Sequence, residues 1–254
     1  MNRPFTPESG LMPAATEAEA REQLAALYRL YAHFGWTDLT FTHASARVPG
    51  EPDHYLIKQD ELLMDEVTAR NLVKMDLDGN PVTGDYQPNL AGHLIHSAVL
   101  GSRPDVTFAA HTHSRAGVAV SAMQCGLLPL SQHANLILPT VRYHDYQDVT
   151  QNEDECAALT RDLGDAYLMV MRNHGLLSVG RSAAECFYYL YFLEMSCKIQ
   201  VDVLGSGQEL ILVDDRIVEA LFNDRSEGDS QPPGARAWLA MVRMLERRGI
   251  DYRG

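Results

Sequence analysis

The sequence predicts an α/β fold built on a mixed, largely antiparallel sheet flanked by helices. Three observations lead there. Helix-period and strand-period segments alternate along the chain; several connections between them are too short for the crossover that parallel strands need; and Asp78-Gly79-Asn80 is a turn signal implying an antiparallel pair. No Gly-x-Gly-x-x-Gly or Walker-type loop occurs, so a nucleotide site has no support.

In chain order, residues 1–14 are polar and rich in Pro and Gly and read as a flexible arm, leaving 15–254 as one domain. Thr16-Glu-Ala-Glu19 has the form of a capping box and opens an amphipathic helix to about His33, with Gly35 as its stop signal. Leu39–His43 alternates apolar and polar and reads as a half-buried strand continuing through Ser45 and Arg47. Short strands are expected around Tyr55–Ile57 and Leu72–Leu77. Asn89–Leu100 reads as a helix stopped by Gly101, Val106–His113 as an apolar strand with a polar end, and Ser114–Ala122 as a small-residue helix before a loop at Cys125–Leu130. A strand at Thr140–Tyr143, a helix at Asn152–Leu163 and a strand at Tyr167–Arg172 follow, the last closed by Asn173-His174-Gly175, whose glycine permits a tight turn. Ser182-Ala-Ala-Glu185 repeats the capping-box form ahead of a long helix to about Leu204. Asp224–Pro233 reads as an exposed loop and Ala235–Arg248 as the terminal helix.

Composition narrows the function. With 34 acidic against 21 basic residues the formal charge is −13, which disfavours a nucleic-acid partner, because phosphate binding needs clustered Lys and Arg. No apolar run approaches the roughly 20 residues of a membrane span, and the first residues lack a signal-peptide layout. The cysteines at 125, 156, 186 and 197 form no Cys-x-x-Cys pair, so a reducing, cytoplasmic location is expected.

The histidines carry the chemistry. His111 and His113 sit two apart at a strand end, so the period of two points both imidazoles to one face, and His174 closes a second apolar strand. Three imidazoles at strand ends can hold one cation with a coordination position left open. The alternative is three polar residues bonded to backbone and water. His43, Ser45 and Arg47 share a strand face and form a candidate anion site, with Arg47 as a bidentate clamp; the alternative is a solvated surface strand. Candidates for acid/base work are His43, His93, His133, His144 and the tyrosines nearby, Tyr143 among them, although Tyr143–Tyr146 also reads as a turn stabilised by side chains. His96 reads as a structural hydrogen-bonding residue on one helix face with His93. The aromatic row Phe187, Tyr188, Tyr189, Tyr191, Phe192 reads as core and subunit interface.

Several ordered segments carry a family resemblance: Phe41-Thr-His-Ala-Ser-Ala-Arg-Val-Pro-Gly50, His96-Ser-Ala-Val, Arg103-Pro-Asp-Val-Thr-Phe-Ala-Ala-His-Thr-His113, Ala119 through Ser131, Tyr143-His-Asp-Tyr146 and Arg172-Asn-His-Gly-Leu176. With these the chain resembles the class II aldolase/adducin family from about Leu24 to about Val203, on the adducin-like bacterial side. The resemblance implies a three-layer α/β/α fold around a mostly antiparallel sheet, and a homotetramer. It also implies a divalent ion, most commonly zinc, at His111, His113 and His174, with Mn, Fe and Co compatible with the same imidazoles. Two departures stand out. The position of the aldolase acid/base Glu falls on Gly92, and the aldolase Gly-Asn-x-Ser segment reads Thr42-His43-Ala44-Ser45 here.

The resulting expectation is a metal-dependent lyase, carrying out aldol cleavage or decarboxylation of a small oxygenated carbonyl or carboxylate substrate. Substrate would be bound by His43, Ser45 and Arg47, with His93 and Tyr143 as catalytic groups. Its rivals are a non-catalytic adducin-like scaffold, which the loss of the Glu favours and the intact histidines oppose, and an iron-dependent oxygenase of the same fold.

Overall fold

Residues 10–82, 90–147, 153–228 and 232–254 are described by the structure, a computed structural model. The capping box forms as its chemistry requires. Glu19 N–H donates to Thr16 Oγ1 at 3.2 Å and Ala15 N–H to Glu19 Oε2 at 2.9 Å, so α1 runs from Glu17 to Phe34 and ends at Gly35 in the left-handed region. Strand β1 (His43–Val48) starts later than the alternation at Leu39 suggests. Leu39 itself takes φ 48° and, like Phe41, stays exposed, so the chain turns there and pairs only from His43.

Strands β2 (Glu51–Ile57) and β3 (Val73–Asp76) follow as antiparallel neighbours. The Asp78-Gly79 turn forms around the Asp76 carboxylate, which accepts from Asp78 and Asn80 N–H, but it closes a single bridge, Met75–Pro81, and not a strand pair. Next come α2 (Leu90–Ser102), β4 (Phe108–Thr112), α3 (Arg115–Ser121), the short α4 (Gln132–Asn135), β5 (Val141–His144), α5 (Glu153–Leu163) and β6 (Leu168–Met171). The chain ends with β7 (Gly175–Gly180), α6 (Ala183–Gly205), α7 (Asp215–Gly228) and α8 (Ala235–Arg247). The seven strands lie in the order β3-β2-β1-β4-β7-β6-β5, with every pair antiparallel except β5–β6.

Helices α1, α6 and α8 cover one face of the sheet and α2 and α5 the other, giving a three-layer α/β/α arrangement. Strand β4 shows how the layers are addressed. Phe108 and Ala110 join the core beneath α1 and α6, whereas Ala109 joins the core beneath α2 and α5. His111 therefore continues the α2 side and Thr112 the α6 side.

Two expectations need correction, and two others gain detail. Strand β7 is absent from the sequence reading because Gly175-Leu-Leu-Ser-Val-Gly180 is buried at every position and so shows no alternation, although it pairs with both β4 and β6. Residues 224–228, expected in a loop, are the last residues of α7, and 229–231 lie outside the described residues. Of the expected flexible arm, residues 1–9 lie outside the described residues; Leu11 and Ala14 pack against the core, Met12 and Pro13 are exposed, and Gly10 is held in place. Gly10 O accepts from Ala184 N–H, and the glycine lies so close on Trp238 that a Cβ would fall 2.1 Å from the indole nitrogen. In the aromatic row of α6, Phe187, Tyr188 and Tyr189 are buried as core within this chain, against Phe34, Trp36, Trp238 and Tyr167, while Tyr191 and Phe192 are partly exposed.

The β6–β7 hairpin also differs in detail. Its left-handed residue is Asn173, at φ 57°, and not Gly175. Gly175 is required for a different reason: a Cβ there would lie 2.3 Å from Thr112 O, on the neighbouring strand, and 3.0 Å from His113 Cδ2. Gly175→Ala is therefore expected to cost about 1–3 kcal/mol, the usual range for overpacking, read as a lower urea midpoint; wild-type stability would contradict this account of the glycine.

Candidate metal centre

Strand β4 delivers His111 at its end and His113 just beyond it, and the β6–β7 hairpin delivers His174 alongside. The three side chains converge so that one ring nitrogen from each lies within 4.8 Å of the others. His113 Nε2 is 2.8 Å from His111 Nε2 and 3.0 Å from His174 Nε2. His111 is fully buried, while the other two are partly exposed, so the cluster opens on their side.

The tautomers decide what this cluster can hold. His111 Nδ1–H donates to the Leu176 carbonyl at 2.9 Å, and His113 Nδ1–H to Asp38 Oδ2 at 3.2 Å. Neutral rings that donate from Nδ1 carry only a lone pair on Nε2. The Nε2 atoms of His111 and His113 therefore face each other, and that of His174, as acceptors with no proton between the first two. A cation on the shared point satisfies them, and the outward hydrogen bonds are those that orient metal-ligating histidines. Electrostatics agree. Burial, followed by neighbouring His43 and His174, holds His111 well below its ordinary value, and burial with His113 and His144 takes His174 to about 4. The residues present thus fit a divalent metal.

Register places further histidines beside the cluster. His43 is the β1 partner of His111, with ring centroids 4.9 Å apart. Its Nδ1 lies 2.7 Å from His96 Nε2, and His96 Nδ1 lies 2.6 Å from Ser45 Oγ, all three residues being buried. Burial and the adjoining ring lower His43 well below its ordinary value, and burial takes His96 to about 3. A Cβ on Gly92 would meet His43 Cδ2 at 3.1 Å and Nε2 at 3.2 Å, so the His43 ring fills the space beside Gly92.

The other expected site residues lie elsewhere. The Arg47 guanidinium, expected as an anion clamp, shares the His43–Ser45 face and donates instead to the carbonyls of Val106, Pro52, Leu100 and Arg103, stitching β1 to the α2–β4 connection. The imidazole of His93 bonds Tyr55 Oη through Nδ1 at 2.7 Å and packs under Gly79 through Nε2, away from the cluster. Tyr143 Oη accepts from Leu127 N–H at 2.9 Å, its ring carries Arg172 at 4.4 Å, and it closes tightly on Gly126, a structural setting. His133 lies tilted against Phe192, with ring centroids 5.5 Å apart. His144, read as part of a turn, ends β5 and donates Nδ1–H to Asp162 at 2.8 Å.

Sequence reasoning missed Asp38, which lies in irregular chain before β1 and has no motif to announce it. It also missed Lys58, a buried lysine closing the apolar run Tyr55-Leu-Ile57, where an unexpected charge was the available signal. The Lys58 ammonium donates to the carbonyls of Gln59 and Asp60; burial lowers it to about 8 against the opposing pull of Asp60 and Glu61, and its charge helps keep His43 neutral.

Two outcomes follow. Arg47→Ala should lower stability by about 2–3 kcal/mol, since it strands carbonyls served by a charged donor, and should leave metal affinity intact; a stable variant with weakened substrate binding would restore the clamp. The depressed histidines set an acid limit. Unfolded chains take up protons near pH 6.5 that native His174 resists down to about 4. Stability of the metal-free protein should fall as pH drops through that window, followed by denaturant midpoints. Added zinc should raise the midpoint at neutral pH and cease to do so by about pH 4.

Comparison with known proteins agrees with this architecture. The family model for the class II aldolase and adducin N-terminal domain matches residues 22–201. A Caulobacter vibrioides protein named "putative aldolase class 2 protein" is 43% identical over 97% of this chain and 97% of its own length. Mouse alpha-adducin is 41% identical over 92% of this chain, which spans only 34% of that longer protein. The crystal structure of an aldolase II superfamily protein from Pseudomonas syringae superposes with a TM-score of 0.88 at 43% identity, covering 95% of this chain and 97% of that one. With its sheet order, its histidine cluster and these likenesses together, the chain belongs to the class II aldolase and adducin family.

Proposed function

We propose that this protein is a divalent-metal-dependent lyase that cleaves or decarboxylates a small, anionic, oxygenated carbonyl compound. The observation that carries the reading is the convergence of three imidazoles, with the outer nitrogens of His111 and His113 fixed on the Leu176 carbonyl and the Asp38 carboxylate. Zinc suits three neutral imidazoles with an open position, and Mn, Fe or Co suit the same donors. When bound, such a cation supplies a Lewis acid able to stabilise negative charge developing on a carbonyl oxygen.

The protein's own residues supply the rest. His43 stands beside the cluster, where it can hold or accept a proton at Nε2 while Nδ1 is anchored on His96, and Ser45 anchors His96 in turn. That assignment lets His43 take the place of the acid/base Glu that Gly92 cannot provide, and makes His96 and Ser45 positioning groups. Lys58 adds positive charge next to His43, which favours a carboxylate-bearing substrate. A tetramer fits the exposed apolar Leu210–Leu212 segment with Ile217 and Leu221 on α7. A cytoplasmic setting fits cysteines that are all free and, among the described residues, no helix long and apolar enough to cross a membrane.

A second reading is a non-catalytic scaffold, favoured by the likeness to alpha-adducin and by glycine at position 92. Metal analysis of protein purified without an affinity tag separates the two. The lyase reading expects about one divalent ion per chain, lost in His111→Ala, and turnover of at least one acid from a panel of 2-oxo and hydroxy acids. His43→Gln should keep its metal and lose about 10²–10⁴-fold in kcat. Fuculose-, rhamnulose- and ribulose-phosphates should turn over far below about 10 s⁻¹, the middle of the usual enzyme range. Protein that takes up no metal and turns over nothing is the scaffold.

A further inference from the structure

The site as described makes no use of Glu194. This carboxyl projects from the middle of α6 and is wholly buried. Its Oε1 accepts the Thr112 hydroxyl at 2.5 Å, the Ser114 hydroxyl stands near enough to favour the charged form, and Oε2 is buried with no well-aligned hydrogen-bond partner among the described residues. Stability alone is a poor reason for such a group, because a leucine of similar volume would avoid an orphan oxygen. Burial raises it above the ordinary carboxylate range, consistent with a cost tolerated for another purpose.

What the carboxyl holds is more telling. Thr112 lies between two of the clustered histidines, and Ser114 caps α3 by accepting Gly117 N–H. Since neighbouring strand residues face opposite ways, Thr112 points to the α6 layer while His111 points to the α2 layer. Glu194 therefore grips the chain from behind, where the strand has just ended and β7 no longer fixes it beyond Thr112. We propose that Glu194 is a positioning residue for the metal centre: through Thr112 it pins the end of β4 and so sets the spacing of His111 and His113. The proposal rests on the metal reading above.

Cobalt titration of the full, untagged chain, followed by its visible ligand-field absorption, tests it without any need for substrate. Thr112→Val removes the hydroxyl at nearly constant shape, Glu194→Leu removes the carboxyl, and Glu194→Gln keeps an acceptor for Thr112. Glu194→Gln should bind cobalt within about twofold of wild type, whereas the other two should weaken binding by about 10–100-fold, as lost outer-shell partners do. The Thr112→Val/Glu194→Leu double variant should be no weaker than the weaker single, because both remove one interaction. A purely structural role would lower Tm and leave the cobalt affinity of the folded protein unchanged, which overturns the proposal. If Glu194→Leu does not fold, Thr112→Val decides alone: wild-type affinity and spectrum refute the idea. If wild type itself takes up no cobalt, the metal reading fails and the positioning role falls with it, a pattern distinct from equal binding by all variants.

Discussion

The site depends on β4 being hydrogen-bonded on both edges, to β1 and to β7, while buried on both faces. That placement fixes every neighbour of His111 at once. Across one edge lies His43, across the other Leu177, and the β7 hairpin that supplies Leu177 also carries His174 and the Leu176 carbonyl. A one-residue slip in either register would turn His111 towards α6 and bring Thr112 to the cluster, so register and chemistry cannot be separated here. The close contact of Gly175 with the Thr112 carbonyl is one visible consequence of this crowding.

The same crowding explains how position 43 and position 92 belong together. A Cβ at 92 would meet the His43 ring at 3.1–3.2 Å, so a histidine at 43 and any side chain at 92 compete for the same space. The chain from His43 through His96 to Ser45 can be ordered in either direction. When His43 Nδ1 donates to His96, its Nε2 is an acceptor, and His96 then donates to Ser45; reversing both bonds makes His43 Nε2 a donor. A group that can present either state without moving its ring suits proton transfer better than a bland core histidine requires.

Much of this was legible in the sequence wherever a local signal coincided with the tertiary outcome. Both capping boxes, the strand-end histidines and the antiparallel bias were read because each depends on a few adjacent residues. β7 was not, since a strand buried on both faces carries no period, and Gly175 was credited to the turn that Asn173 makes. Arg47, His93 and Tyr143 are bonded elsewhere than their sequence positions suggest, for a common reason. Each is polar and lies near the right segment, but sharing a face or a neighbourhood does not reveal which backbone carbonyl or hydroxyl will absorb its hydrogen bonds. Asp38 carries no local signal and Lys58 only an unexpected charge at the end of an apolar run, as their roles exist only once distant segments meet.

Charge supplies the remaining constraint on what the pocket can accept. The molecule as a whole is strongly acidic, yet the groups around the cluster are neutral or positive: His43, His96, His111 and His174 are all pushed towards the neutral form, and Lys58 adds a buried cation. Among the described residues, Asp38 is the one carboxylate bonded to the cluster, and it is half exposed and paired with His113. A dication on three neutral ligands would keep almost its full charge, in contrast to a site built with thiolates or carboxylates. Such a centre repels cationic ligands and stabilises anionic ones, and it does so locally, because the surface acids are screened by salt over about 8–10 Å. A dication held by these three imidazoles would therefore favour small anionic ligands over cationic ones, in spite of the acidic surface around it.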